Sequence, residues 1–410
     1  PGLKDLLDEF SDVQLALGGL DEDLMLKAEE IILSPGVALA SDALKKAQAK
    51  SIPVVGDIEL FCREIKQPII AITGSNAKST VTTLVGEMVK NAGHSVVVAG
   101  NIGLPVLEVL TDPKRADFYV LELSSFQLET THSLAAEVAV LLNISPDHLD
   151  RYPSMKEYTE AKHRIFRKAR NTVFNAEDTA TRPHPMFTEH DWRFTTQNPG
   201  VRTFGLMEKD GAIWLGIEKT PLMPAADVRI KGRHNQANAL AALAIGNIIG
   251  LPMQSMLETL RHFGGLPHRC QWVREREQVQ WFNDSKGTNV GAAVAAIEGL
   301  GGDIADKGKV VLIAGGDGKG ADFVELREPA GKFVKAAVLI GRDADKLENI
   351  LKDQCTVIRA TTLQDAVANA AKLAEAGDAV LLSPACASFD MFKGYDDRGT
   401  QFMNCVNALP

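Results

Sequence analysis

Short apolar runs alternate with amphipathic stretches along most of this chain, and that alternation limits its fold more than any other feature. "PIIAIT" (68–73), "SVVVA" (95–99), "DFYVLEL" (117–123) and "EVAVLLN" (137–143) are the first strong strand signals. Between the first two lies "KSTVTTLVGEMVKNAG", where Val81, Leu84, Val85, Met88 and Val89 fall on one helical face and Gly93 suits the helix end. Apolar strands that must be covered on both faces, joined by helices, predict parallel α/β sheets. After the glycine-rich "GGLPHRC" (264–270) the alternation restarts with "VQWFND", "KVVLIAGG", "AAVLIG", "TVIR" and "DAVLLSP", enough for a second doubly wound sheet. Ahead of it, "VRTFG", "AIWLGI" and "ADVRIKG" (within 200–232) read as short antiparallel strands, and "NQANALAALAIGNIIG" (235–250) as a helix. Before residue 57 there is only about half of such a unit: "EIIL" (30–33) running into Ser34, Pro35 and Gly36, then "IPVVGD" (52–57).

At 410 residues more than one core is required. A net charge of −9 argues against a general nucleic-acid binder, because phosphate backbones reward basic surfaces. No run approaches the roughly 20 apolar residues of a membrane span, and no signal-peptide pattern opens the chain. The five cysteines form no CxxC pair and read as free thiols in a reducing compartment.

"TGSNAKST" (73–80) has the strand, small-residue loop and Lys-Ser-Thr helix start of a phosphate site, where backbone N–H groups and the helix end surround an anion. Gly74, Ser75, Asn76 and Ala77 would line it, Lys78 would reach outer phosphates, and Ser79 and Thr80 would hold magnesium. The full phosphate-loop pattern is not met, since Ile72 and Ala77 stand where glycines are usual. Alone, the loop leaves a nucleotide site and an ordinary strand-to-helix turn both open. Glu122 ends an apolar strand, where open α/β sheets gather their ligands, and suits magnesium. Asp147, His148 and Asp150 follow another strand end, with His148 a candidate metal ligand. Lys162, on a helix, reads from its own context as a solvated surface lysine. Asn235 and Asn238 suit an adenine edge, yet asparagine also caps helices. In the last unit, Asp284, Lys286, Thr288, Lys319 and Ser388 sit at three strand ends beside helix starts, a pocket for an anionic carboxylate.

Taken in order, "AITGSNAKSTVTTL", "GNIG", "ELSSFQLE", "NISPDHLDRY", "HNQANALAA", "LPHR", "NDSKGTNVGA", "GGDGK" and "LLSPACASFDMF" resemble the Mur ligase family over essentially the whole chain. The resemblance implies three α/β domains: a partial N-terminal Rossmann-like UDP-binding domain (1–56), a central P-loop-type ATP-binding domain with a small antiparallel sheet (57–265), and a C-terminal Rossmann-like amino-acid-binding domain (266–410). It implies an ATP-dependent amide ligase of peptidoglycan precursor synthesis in the bacterial cytoplasm, most similar to the branch that joins D-glutamate to UDP-N-acetylmuramoyl-L-alanine through an acyl phosphate.

Carried across residue by residue, the family pattern gives Lys78, Glu122, His148 and Lys162 the catalytic roles. Two magnesium ions would sit on Ser79, Thr80, Glu122, His148 and a CO₂-derived carbamate of Lys162. Asn235, Asn238, Arg269 and Asp284 would join the phosphate loop around ATP. Ser34, Pro35, Gly36, Asn101, Ser124 and Gln127 would face the UDP-muramoyl-alanine, and Lys286, Thr288, Lys319, Ser388, Phe389 and Tyr395 the D-glutamate. The partners implied are these small molecules, with no nucleic acid, no membrane insertion and a monomeric chain. Against the family pattern, the chain opens at Pro1 without the first strand and glycine-rich loop of the N-terminal domain, Ala77 replaces a glycine, and Tyr395 replaces an apolar aromatic. Another Mur-type or folylpolyglutamate-type ligase, a P-loop ATPase and a non-catalytic nucleotide-sugar binder are the competing readings.

Overall fold

The structure is a computed structural model and describes residues 3–149, 151–184, 188–230 and 232–409; Asp150 lies outside them. Three sheets organise it. The first is a parallel pair, β1 (Ile31–Ile32) and β2 (Val54–Val55), packed through Leu33, Leu44 and Val54.

The central sheet contains β3 (Ile69–Thr73), β4 (Val96–Gly100), β5 (Phe118–Glu122), β6 (Val138–Leu141), β7 (Asn171–Asn175), β8 (Asp191–Phe194), β9 (Thr203–Lys209), β10 (Ala212–Ile217) and β11 (Thr220–Pro224). Its order is β11-β10-β9-β8-β7-β6-β3-β5-β4, parallel from β4 to β9 and antiparallel beyond. The antiparallel strands therefore extend the parallel sheet rather than form a separate one. "ADVRIKG" was expected to supply the third of them. It forms a short 3-10 turn instead (Ala225–Asp227), and "TPLMP" makes the edge strand, where proline is tolerated because one side of its backbone needs no partner.

Strands β3, β5 and β6 and the helices Lys78–Asn91 and Arg233–Ile248 enclose one core, with Val81, Leu84, Val85, Met88 and Val89 all fully buried as their spacing predicts. The opposite face of the sheet is covered by helix Asp57–Glu64, through Ile58 and Phe61. The third sheet has β12 (Gln271–Arg276), β13 (Val279–Asn283), β14 (Val310–Gly315), β15 (Val334–Ile340), β16 (Thr356–Arg359) and β17 (Ala379–Leu382), in the order β12-β13-β17-β14-β15-β16. Only β12 runs antiparallel, and nothing in "QWVRER" marked it beforehand because its pattern of burial is half-exposed throughout. No helix among the described residues is long and apolar enough to cross a membrane.

Candidate functional site

The carboxyl ends of β3, β5 and β6 meet at the small-residue loop. Gly74 is required there by close packing, since a Cβ would stand 3.0 Å from Leu142 Cβ and 3.3 Å from the Asn76 carbonyl. Ser75 Oγ lies 3.0 Å from Tyr158 Oη and accepts from the Ser145 amide at 3.0 Å. The Asn76 amide donates to Asn143 Oδ1 at 2.8 Å. Ala77 closes the loop in the left-handed region (φ 65, ψ −3) and starts helix Lys78–Asn91. The residue that departs from the phosphate-loop pattern thus adopts the backbone that glycine would supply.

Lys78 Nζ donates to the Gly74 carbonyl at 2.9 Å and the Ser75 carbonyl at 3.0 Å. Burial lowers its pKa, which the Glu122 carboxylate partly opposes. Lys162 corrects its sequence context: it is buried, not a solvated surface lysine. Helix Met155–His163 turns Tyr158, Ala161 and Lys162 inward, and the signal was the i, i+3, i+4 placement of Tyr158 and Ala161 beside it. Lys162 Nζ donates to the Gly74 carbonyl at 2.9 Å and stands 4.8 Å over the Tyr158 ring. Burial, then the nearby Lys78 charge, hold its pKa well below the ordinary lysine value.

Glu122 is buried at the end of β5. Its Oε1 accepts from Asn101 Nδ2 at 2.9 Å, while Oε2 is buried with no hydrogen-bond partner. A buried carboxylate oxygen left without a donor costs about 1–3 kcal/mol, so this atom fits a cation. His148 sits in the left-handed region (φ 54), half exposed, with its ring centroid 4.8 Å from that of Phe126 in an edge-to-face arrangement and Nε2 3.7 Å from Asp147 Oδ2. Among the described residues no three His, Cys, Asp or Glu side chains converge as a ready metal cage. Magnesium prefers oxygen and keeps several waters, so Glu122 with the buried hydroxyls of Ser79 and Thr80 suits it, and an added anionic oxygen on Lys162 would complete the set.

Beside the loop lies a cavity of about 320 Å³ bordered by Asn76, Thr80, Asn235, Asn238, Arg269 and Asp284. Gly232 caps helix Arg233–Ile248, so the capping alternative for Asn235 and Asn238 does not hold; Asn238 Nδ2 donates to Asn235 Oδ1 at 3.1 Å. Asp284 accepts from Ser383 Oγ at 2.7 Å and the Cys270 amide at 3.1 Å, and burial raises its pKa to about 6. The C-terminal unit reaches the phosphate loop directly: Arg269 Nη2 and Lys286 Nζ each stand 3.4 Å from Ser79 Oγ, and Asn289 Nδ2 lies 3.4 Å from Asn76 Oδ1. Arg269 Nε is buried without a hydrogen-bond partner, and the guanidinium faces the same cavity as Asp284.

The expected D-glutamate residues are brought together only in part. Lys286 Nζ lies 5.2 Å over the Tyr395 ring and Ser388 is buried. Thr288, Lys319 and Phe389 stay exposed; the Thr288 amide donates to the Lys286 carbonyl at 2.9 Å, while the Lys319 amide donates to Asp317 Oδ1 instead. Sequence reasoning missed Arg398, which is fully buried. It donates to Ser285 Oγ at 2.9 Å, the Ser285 carbonyl at 2.8 Å and the Cys386 carbonyl at 3.2 Å, clamping "NDSKGTN" to "SPACAS". Of the residues expected to face the nucleotide sugar, Ser34, Pro35 and Gly36 form the turn after β1, and Asn101 is exposed above β5. Ser124 and Gln127 form the capping box of helix Ser125–Glu129, a structural duty that the sequence did not reveal.

This chain belongs to the Mur ligase family. The Mur ligase middle domain matches residues 72–246, the Mur ligase glutamate ligase domain residues 268–386, and the MurD-like N-terminal domain residues 1–56. More particularly, the chain is 56% identical over 409 residues to the UDP-N-acetylmuramoylalanine–D-glutamate ligase of Pseudomonas putida, covering 100% of itself and 90% of that protein. The ligase of the same name from Acinetobacter baylyi is 54% identical over 400 residues, covering 97% and 89%. Among solved structures, MurF ligase from Thermotoga maritima in complex with ADP shares the fold at a TM-score of 0.62 and 15% identity, covering 93% of this chain and 97% of that one. MurC from the same organism has a TM-score of 0.61 at 18% identity, covering 93% and 85%.

Proposed function

We propose that this chain is an ATP-dependent ligase that joins D-glutamate to UDP-N-acetylmuramoyl-L-alanine, releasing ADP and phosphate, in the cytoplasmic assembly of peptidoglycan precursors. The whole-chain identity to ligases of that name supports the substrates. The observation that carries the chemistry is the convergence on Ser79 and its loop of Lys78, Lys162, Glu122, Arg269 and Lys286, drawn from two separate sheets. Such a set of cations, with one unsatisfied carboxylate, suits a reaction between anions.

A carboxylate is a poor acceptor for an amine. Its oxygen attacks the γ-phosphorus of ATP, ADP leaves, and the acyl phosphate now carries a leaving group. The amine of D-glutamate attacks the acyl carbon, loses a proton, and phosphate departs with the C–O electrons. Lys78 and Arg269 neutralise the charge that spreads over the transferred phosphoryl oxygens, and the loop amides hold it in line. Glu122, Ser79 and Thr80 would hold magnesium, which would supply further charge neutralisation to the phosphates. The depressed pKa of Lys162 favours its neutral amine, the form that adds CO₂; the new N–C bond and released proton would turn the amine into an anionic oxygen ligand. Lys286, its Nζ over the Tyr395 ring, is set to hold the glutamate carboxylate, and Ser34, Pro35 and Gly36 to border the uridine nucleotide. We assign residues 1–56, 57–265 and 266–410 to the nucleotide-sugar, ATP and amino-acid substrates respectively, in a monomeric chain.

Phosphate release measured with ATP and UDP-N-acetylmuramoyl-L-alanine, with and without D-glutamate, tests this reading. Release must depend on D-glutamate; release that ignores it would point to a simple ATPase.

A further inference from the structure

The turn after β1 is held by the Arg151 side chain of the central unit. Arg151 Nη1 donates to the Pro35 carbonyl at 2.8 Å and Nη2 to the Val37 carbonyl at 3.3 Å, with Glu129 Oε2 3.4 Å from the same Nη2. The guanidinium carbon stands 3.7 Å from the centroid of the Phe126 ring. That ring also takes the edge of His148 at 4.8 Å and stacks on Tyr152 at 5.9 Å, and Tyr152 meets Tyr158 at 5.4 Å. Tyr158 in turn touches Ser75 and underlies Lys162. The backbone closes the same circuit, since the amides of Arg151 and Tyr152 both donate to the His148 carbonyl at 3.0 Å. One planar guanidinium therefore fastens the turn at 34–37, the helix carrying Gln127, and the loop carrying His148. A fork that makes two parallel-directed hydrogen bonds while stacking on an aromatic face is a geometry lysine does not reproduce.

We infer that Arg151 is a positioning residue that couples binding of the nucleotide sugar at the 34–37 turn to the order of the His148 loop and, through Tyr158, of the phosphate loop. The inference rests on the function proposed above, which assigns that turn to the nucleotide sugar. It is tested by calorimetric titration of UDP-N-acetylmuramoyl-L-alanine into the full chain, with and without a magnesium-bound non-hydrolysable ATP analogue, for the native protein, Arg151→Gln and Arg151→Lys.

The native protein should bind the nucleotide sugar more tightly when the analogue is present. In both variants its Kd should rise roughly tenfold, the size of a lost charge-assisted hydrogen bond, and the analogue should no longer improve it. The analogue's own Kd, measured alone, should stay within about twofold, because linkage removes only the shared part. A residue that merely stiffens the fold would weaken both ligands together and leave their mutual effect intact; that result, or a native protein without coupling, overturns the inference. Should Arg151→Gln fail to fold, Arg151→Lys, which keeps the charge and stem, decides alone. A native chain that binds the analogue but no nucleotide sugar removes the proposed function, a failure visible before any variant is made.

Discussion

Ala77 carries the sequence departure beside the loop lysine, and its φ of 65 shows what it costs. Left-handed backbone is disfavoured for an L-residue by about 1–2 kcal/mol, whereas glycine there loses roughly 0.5–1 kcal/mol in unfolded-chain entropy. Ala77→Gly should therefore raise stability by about 0.5–1 kcal/mol and leave affinity for an ATP analogue within a few-fold. Denaturant titration and calorimetry check both; a loss of stability would mean that packing of the methyl against the core outweighs the strain. Lys162 makes a sharper case. Lys162→Ala should abolish ligation, and a short carboxylate such as formate should restore part of it by supplying the missing oxygen ligand, whereas a variant with near-native activity would exclude the carbamate. For Lys286, burial and then Arg269 lower the pKa to about 8. A depressed lysine is charged below its pKa and neutral above it, so attraction for a carboxylate fades as pH rises through about 8. KM for D-glutamate should climb over that range and stay flatter in Lys286→Arg; KM is the quantity to follow because the substrate amine becomes more nucleophilic over the same interval.

At the level of elements, strands and helices were legible wherever both faces are buried, as in β3, β5, β6, β14 and β17, because a fully apolar run admits few other readings. The phosphate loop and Glu122 were legible for the same reason, being tied to strand ends. What stayed hidden depends on contacts distant in sequence. The inward turn of Lys162 is set by Tyr158 packing over residues 75 and 126, and Arg398 is separated by more than a hundred residues from Ser285. A buried arginine that satisfies carbonyls looks, in sequence, like any helix-surface arginine. Burial lowers its pKa to about 10, so it stays charged near neutral pH and needs every partner it has. Arg398→Ala should destabilise the C-terminal unit by about 3–5 kcal/mol, since four loop carbonyl and hydroxyl acceptors lose their donor inside the protein. Arg398→Lys should recover part of this. Equilibrium unfolding of the full chain, resolved by its tryptophans, gives the measurement; a change under about 1 kcal/mol would show that water replaces the clamp.

The whole molecule depends on how its two large sheets face each other across "GGLPHRC". Within that linker His268 (φ 62) and Cys270 (φ 41) both take left-handed backbone on either side of Arg269. Side chains that size occupy such a region only when the surroundings hold them there, and His268 is held by Asn283 Nδ2 at 2.9 Å. The strained pair aims Arg269 back across the cleft at Ser79, with Nε left over for an anion. Nucleotide phosphate bound between the sheets would thus give the buried Arg269 Nε the acceptor it lacks. Ligand at 100 times its Kd stabilises the state it binds by about 2.7 kcal/mol, so a magnesium-bound ATP analogue should raise the thermal midpoint clearly in the native chain. Arg269→Ala should weaken the analogue about tenfold and shrink that gain by about 1.4 kcal/mol at the same ligand concentration. The unliganded midpoint of the variant should hold or rise, because an unsatisfied buried donor is gone. A variant whose unliganded midpoint falls while its ligand-induced gain is unchanged would assign Arg269 to joining the two sheets rather than to the nucleotide.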